Sequence, residues 1–161
     1  MKILLIVSFL VVTLFSDTYL FHEKRYSYVF DDSIVLDGII TFDVNNIFIK
    51  YNNSDKEIFY EDSIITLKEN AKVVELSVLQ TQQIKIFLDI LVLLNENNEI
   101  ILNNKFDITT INEKIVLVPK YELYKHIEKI IVTRDGNKLE VIQVTLLNHD
   151  TITISIDHEI H

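Results

Sequence analysis

The chain has 161 residues, 48% hydrophobic and 24% charged, which fits one globular domain with a sizeable core and leaves no room for two comfortable ones. Its net charge of −9 argues against nucleic acid as a partner and against stable residence on an anionic membrane surface, since both need a basic face. The absence of cysteine excludes disulfides, thiolate metal sites, cysteine nucleophiles and lipid attachment through an N-terminal Cys.

Met1 and Lys2 give a minimal positive start to an apolar run, ILLIVSFLVVTLF, which ends at Phe15 and is followed by Ser16 and Asp17. The run has the length of a signal-peptide core and falls short of the ~20 residues that span a bilayer. We therefore expect residues 1–16 to be an export signal and residues 17–161 to form a single domain. Leu14 fits the small-x-small rule poorly, so the cleavage position stays open.

Glycine occurs 2 times and proline once, so the turns must be made by Asn, Asp and Ser. Residues 25–30 (RYSYVF) alternate as a strand. Residues 36–44 form a second, with Leu36, Gly38, Ile40, Phe42 and Val44 on one face. Gly38 lies mid-strand, where glycine marks a bulge, a bend or a close backbone approach. Residues 47–51, 57–61, 64–68 and 72–77 continue an antiparallel meander through Asn45–Asn46, Asn52–Ser54, Asp62–Ser63 and Glu69–Asn70.

Residues 81–94 (TQQIKIFLDILVLL) change the period. Ile84, Phe87, Leu88 and Leu91 follow i, i+3, i+4, i+7 spacing, and Ile86, Ile90, Leu93 and Leu94 make a second stripe beside them. Lys85 and Asp89 supply the polar edge and are placed for a helical ion pair. A helix apolar around most of its circumference has to be buried on most of it. A polar turn at residues 95–99 follows, and strand patterning resumes at 105–109, 114–119, 128–134, 139–147 and 151–157. Asp135–Gly136 and His149–Asp150 provide turns among these strands. The expected fold is mainly β (α+β): a strongly curved antiparallel sheet, or incomplete β-barrel, of about eleven strands covering an apolar helical plug.

Chemistry is sparse. With two glycines, neither a phosphate-binding Gly-rich loop nor a G-x-S-x-G elbow can be built, and no H-E-x-x-H is present. His158 and His161 imitate a metal motif, but three apart on a strand they face opposite ways and read as a polar chain end. Tyr124, His126 and Glu128 would share a face if extended; without a nucleophile or oxyanion donor nearby, a solvated rim is the better reading. We expect no catalytic residue, no metal, no cofactor and no enzymatic activity.

The order of motifs resembles the periplasmic lipoprotein carrier family, the LolA-like proteins, over nearly all of residues 25–157. The resemblance rests on a Gly38-to-Phe42 strand, an aromatic strand ending at Tyr51, a strand-turn-strand at 57–68, the helix at 81–94, an L-x-P strand ending at Pro119, and a final meander over 130–156. It implies a soluble, exported periplasmic carrier that holds the acyl chains of lipoproteins in an apolar chamber and ferries them from the inner to the outer membrane. The implied partners are acylated lipoprotein cargo, an inner-membrane lipoprotein-releasing transporter and an outer-membrane receptor, with no nucleic acid and no stable membrane insertion. Two departures stand out. Asn45–Asn46 replaces the family's Arg-Pro pair, so an arginine-gated cycle does not carry over. Only residues 17–24 are available for its opening amphipathic helix, too few for a stable one.

Strand alternation and helical spacing together nominate Ile40, Phe42, Phe48, Phe59, Leu67, Ile84, Phe87, Leu88 and Leu91 as acyl-chain-binding residues. A one-residue register error would invert the strand positions. The competing reading is a non-catalytic structural or interaction protein of the same fold, with a filled core or a different lipid ligand.

Overall fold

The structure is a computed structural model that describes residues 17–159; the expected export signal lies outside them. The chain runs β1 (Asp17–Ser27), β2 (Asp32–Asp43), β3 (Asn46–Tyr51), β4 (Lys56–Glu61), β5 (Ile64–Glu69), β6 (Lys72–Val74), α1 (Val78–Glu96) and α2 (Glu99–Lys105). It continues through β7 (Phe106–Ile111), β8 (Lys114–Pro119), a 3₁₀ turn (Tyr121–Lys125), β9 (Ile127–Asp135), β10 (Lys138–Leu146) and β11 (Thr151–Glu159).

All strands form one antiparallel sheet in the order β6-β5-β4-β3-β2-β1-β11-β10-β9-β8-β7. Two meanders therefore meet where β1 pairs with β11, and β6 and β7 are left as open edges joined by the two helices. The expected mainly-β fold, an unclosed sheet around one apolar helix, is the fold observed. Its curvature follows from packing. Helix α1 touches both β3 and β10, four strand spacings apart, which on a flat sheet would be roughly 19 Å. A helix about 10–12 Å across reaches both only if the sheet bends around it.

The tight turns carry left-handed residues in place of glycine. Asp62–Ser63, Asn70–Ala71 and Asn112–Glu113 each have two successive positive φ angles, the two-residue geometry that matches strand twist. Gly38 is a close approach, as its mid-strand position suggested. A Cβ there would collide with the Lys50 carbonyl oxygen and lie 2.7 Å from the Phe21 ring. Its bareness lets Phe21 lie flat on the sheet and pack edge-on against Tyr51, 5.6 Å between ring centres.

Several boundaries differ from the sequence expectation. Residues 17–24 are the first half of β1, and residues 28–31 are the β1–β2 turn; pairing with both β2 and β11 outweighs any local helical tendency. Helix α1 starts earlier than residue 81 because Ser77 caps it. The Ser77 side chain accepts from the Gln80 N–H while the Gln80 side chain accepts from the Ser77 N–H, a reciprocal capping box. That cap ends β6 at Val74, so the expected strand over 72–77 is halved. The turn expected at 95–99 holds only Asn97 (φ 50°) and Asn98, whose side chain caps α2 by accepting from Ile101 N–H.

The core lies between α1 and the inner face of the sheet. On α1, burial is concentrated in the C-terminal half, at Leu88, Ile90, Leu91, Leu93 and Leu94. These side chains pack with Ile40, Ile49, Phe106, Leu117, Ile130, Val132, Ile142 and Val144 in one continuous cluster. The expected Lys85–Asp89 ion pair forms at 2.8 Å, and Tyr60 of β4 adds a hydrogen bond to Asp89. The polar edge of the helix is thereby tied to the sheet.

Candidate functional site

Toward its N-terminus α1 is less covered. Only 28% of the apolar helix is buried, and Ile84, Ile86 and Phe87 are half-buried. Between this half of the helix and the sheet lies a chamber of about 570 Å³. Its apolar walls come from Ile49 and Ile58 on one side, Ile127, Val144 and Ile152 on the other, and Ile84, Phe87 and Leu88 from the helix. Another opening has a similar volume, about 590 Å³. Its lining includes Asp62, Lys85, Asp89 and Glu96, a wetted polar groove in place of an apolar cavity.

A charged cluster is set into the wall of the apolar chamber. Strand alternation places Phe21, Glu23 and Arg25 of β1 on the inner face, and Tyr51 reaches them from β3. Glu23 is 2% exposed, yet both oxygens are used: Oε1 accepts from Arg25 Nε at 2.5 Å and Oε2 accepts from Tyr51 Oη at 2.8 Å. Arg25 Nη2 also lies 3.4 Å from Tyr51 Oη. Burying a lone carboxylate costs several kcal/mol, so these partners are what keep Glu23 tolerable in the core. Burial alone would lower the Arg25 pKa, but the Glu23 hydrogen bond and charge hold it above its ordinary value. Desolvation, reinforced by the Glu23 charge, pushes the Tyr51 phenol well up. Both groups keep their protons.

The nominated residues divide into three groups. Ile84, Phe87 and Leu88 come together as chamber wall. Ile40, Phe42 and Leu91 are on the inner face but packed into the solid core; Leu67, opposite Ile58, packs at the margin of that core. Phe48 and Phe59 require correction. They are cross-strand partners on the outer face, ring centres 4.8 Å apart, because Ile47, Ile49, Ile58 and Tyr60 take the inner positions of the same strands. The register had been inverted on β3 and β4. Ile40 pairs with Ile49, so carrying the β2 face across the turn would have identified Ile49.

The shared face considered for Tyr124, His126 and Glu128 depended on an extended stretch, and the backbone of residues 121–125 is instead a 3₁₀ turn. His126 lines the chamber, while Glu128 turns to His149, 3.5 Å from Nδ1. Of the terminal histidine motif, Ile160 and His161 lie outside the described residues. Among the described residues no group of three or more His, Asp or Glu could hold a metal ion.

No protein-family model matches the chain, and no curated protein matches it by sequence. Among solved structures, it is similar to a LolA superfamily protein from Nitrosomonas europaea, at 6% identity and a TM-score of 0.44. That alignment covers 91% of this chain and 86% of the other. The chamber, rather than this distant likeness, has to carry any functional conclusion.

Proposed function

We propose that this protein is a non-catalytic carrier for an acyl-chain ligand, held in the chamber between the N-terminal half of α1 and the curved sheet. The observation that supports it is an apolar cavity of about 570 Å³, within the ~300–1,000 Å³ typical of small-ligand sites. Each buried methylene contributes about 0.8 kcal/mol, so one long chain is enough for firm binding. The apolar segment at residues 3–15 and the motif order of the sequence favour an exported, periplasmic carrier that collects lipoprotein acyl groups from an inner-membrane transporter and delivers them to an outer-membrane receptor.

The test is titration of delipidated protein with a fluorescent fatty acid, followed by thermal melting with and without ligand. Saturable binding with a ligand-dependent rise in melting temperature is expected, since a ligand that binds only the folded state stabilises it. No uptake would overturn the carrier reading. It would instead favour the filled-core structural protein, a reading supported by the dense packing of Ile40, Phe42 and Leu91.

A further inference from the structure

We infer that the chamber selects an acyl chain bearing a carboxylate head, with Arg25 as the group that receives it; this rests on the carrier reading above. The chamber lining is mixed, with apolar and charged side chains in one cavity. Ile49, Ile58, Ile84 and Phe87 share the lining with Glu23, Arg25, Lys125, His126 and Asp150.

The donors and acceptors there are unequally engaged. Both Glu23 oxygens are occupied, as described. Asp150 is also engaged, accepting from Tyr28 N–H through Oδ1 at 2.8 Å and from the Asn148 amide through Oδ2 at 2.7 Å. Arg25, by contrast, donates to Glu23 through Nε and approaches Tyr51 through Nη2. Among the described residues Nη1 meets no acceptor, and the side chain is 51% exposed. A guanidinium fixed on one edge and open on the other is preorganised for an oxygen pair. In a chain of net charge −9, Arg25 and Lys125 offset Glu23 and Asp150 in the same lining, so the chamber is locally neutral where the rest of the chain is acidic. Glu23 therefore acts as a positioning residue: it holds the Arg25 side chain against the wall and does not itself meet the ligand.

The experiment compares delipidated protein binding cis-parinaric acid and its methyl ester, which share a chain and differ in head charge. The acid should bind about tenfold more tightly, the scale of one charge-assisted hydrogen bond. Removing Arg25 alone would strand the Glu23 charge in the core, so the working variant is Glu23→Gln/Arg25→Gln, with its fold checked by circular dichroism. Its acid-to-ester ratio should fall to near one. Arg25→Lys, which keeps the charge and pairs with Glu23, should retain part of the preference. Equal binding of acid and ester by the parent protein, or an undiminished ratio in the double variant, would overturn the head-group assignment while leaving the carrier intact. Binding of neither probe would remove the carrier reading, and this one with it. A triacylated lipopeptide, whose acyl carbonyls are uncharged, serves as competitor. If it displaces the ester more strongly than the acid does, selection for a carboxylate is overturned in favour of a lipoprotein terminus.

Discussion

Arg134 of β9 donates a hydrogen bond from Nη2 to the carbonyl oxygen of Leu94, in the last turn of α1. The helix has no basic residue of its own in that turn, and its terminal carbonyls carry partial negative charge. Arg134 supplies the missing cation from the sheet, and a second hydrogen bond, Nη1 to the Asn137 carbonyl at 3.0 Å, fixes its position. Desolvation lowers the Arg134 pKa below its ordinary value, but the guanidinium remains charged. Arg134→Met should therefore destabilise the protein by about 1–3 kcal/mol, the range for a charge-assisted hydrogen bond with a helix-end contribution. Urea denaturation measures it; an unchanged midpoint would show that the contact does not hold the helix.

On the outer face, His22 bridges three adjacent strands. Its Nδ1 meets Asp37 of β2, and its Nε2 lies 2.9 Å from Asp157 of β11. The Asp37 hydrogen bond is the largest influence; it outweighs desolvation and, with the Asp157 charge, raises the His22 pKa above 6.5. A raised folded-state pKa stabilises the fold fully below the unfolded value, and the gain is lost as pH rises through the folded value. Raising the pH from about 6 to about 8 should consequently cost the parent more stability than His22→Gln. Parallel denaturation midpoints for the two proteins across that window would refute the clamp.

The hairpins contain a different liability. Ala71 (φ 60°) and Glu113 (φ 66°) occupy left-handed positions where a Cβ is unfavourable by about 1–2 kcal/mol. Neither side chain is buried. Substituting Gly relieves the strain but loosens the unfolded chain, so Ala71→Gly and Glu113→Gly should each stabilise by about 0.5–1 kcal/mol net. Calorimetry of the double variant should show an increase in melting temperature. A decrease would mean that the unfolded-state entropy dominates.

Much of this architecture was legible because it rests on local rules. Glycine scarcity forced Asn, Asp and Ser into turns, and the apolar stripes of residues 81–94 marked the helix that the sheet curves around. The expected burial over most of its circumference does not hold, since only 28% of the helix is buried. Helix α2 was missed because EIILNNK, at seven residues, is too short to display a helical period. The chamber's charged cluster was hidden for another reason. Glu23 and Arg25 share the inner face of β1 with Phe21, but charged residues read as solvent-facing, and the partner that makes burial of Glu23 tolerable, Tyr51, is 28 positions away. No local pattern records such a partnership. Phe48 and Phe59 fell on the wrong face for the complementary reason: period-two alternation fits either face of β3 and β4, and the isoleucines alternate equally well.

That inversion yields a direct contrast in ligand binding. Phe48 and Phe59 stack across the outer face, with Lys68 Nζ 4.6 Å from the Phe59 ring centre. A cross-strand pair of this kind stabilises by roughly 0.2–1 kcal/mol, and neither ring borders the chamber. Phe87, half-buried, does border it. Phe48→Ser/Phe59→Ser should thus lower the denaturation midpoint modestly while retaining fatty-acid uptake. Phe87→Glu should place a carboxylate against the acyl chain and abolish uptake without unfolding the helix, whose buried anchors are Leu88, Ile90, Leu91, Leu93 and Leu94. Fluorescent fatty-acid titration of both variants, with circular dichroism to confirm folding, separates the faces. Uptake lost in the outer-face variant but kept in Phe87→Glu would place the ligand on the wrong side of the sheet for the proposed chamber.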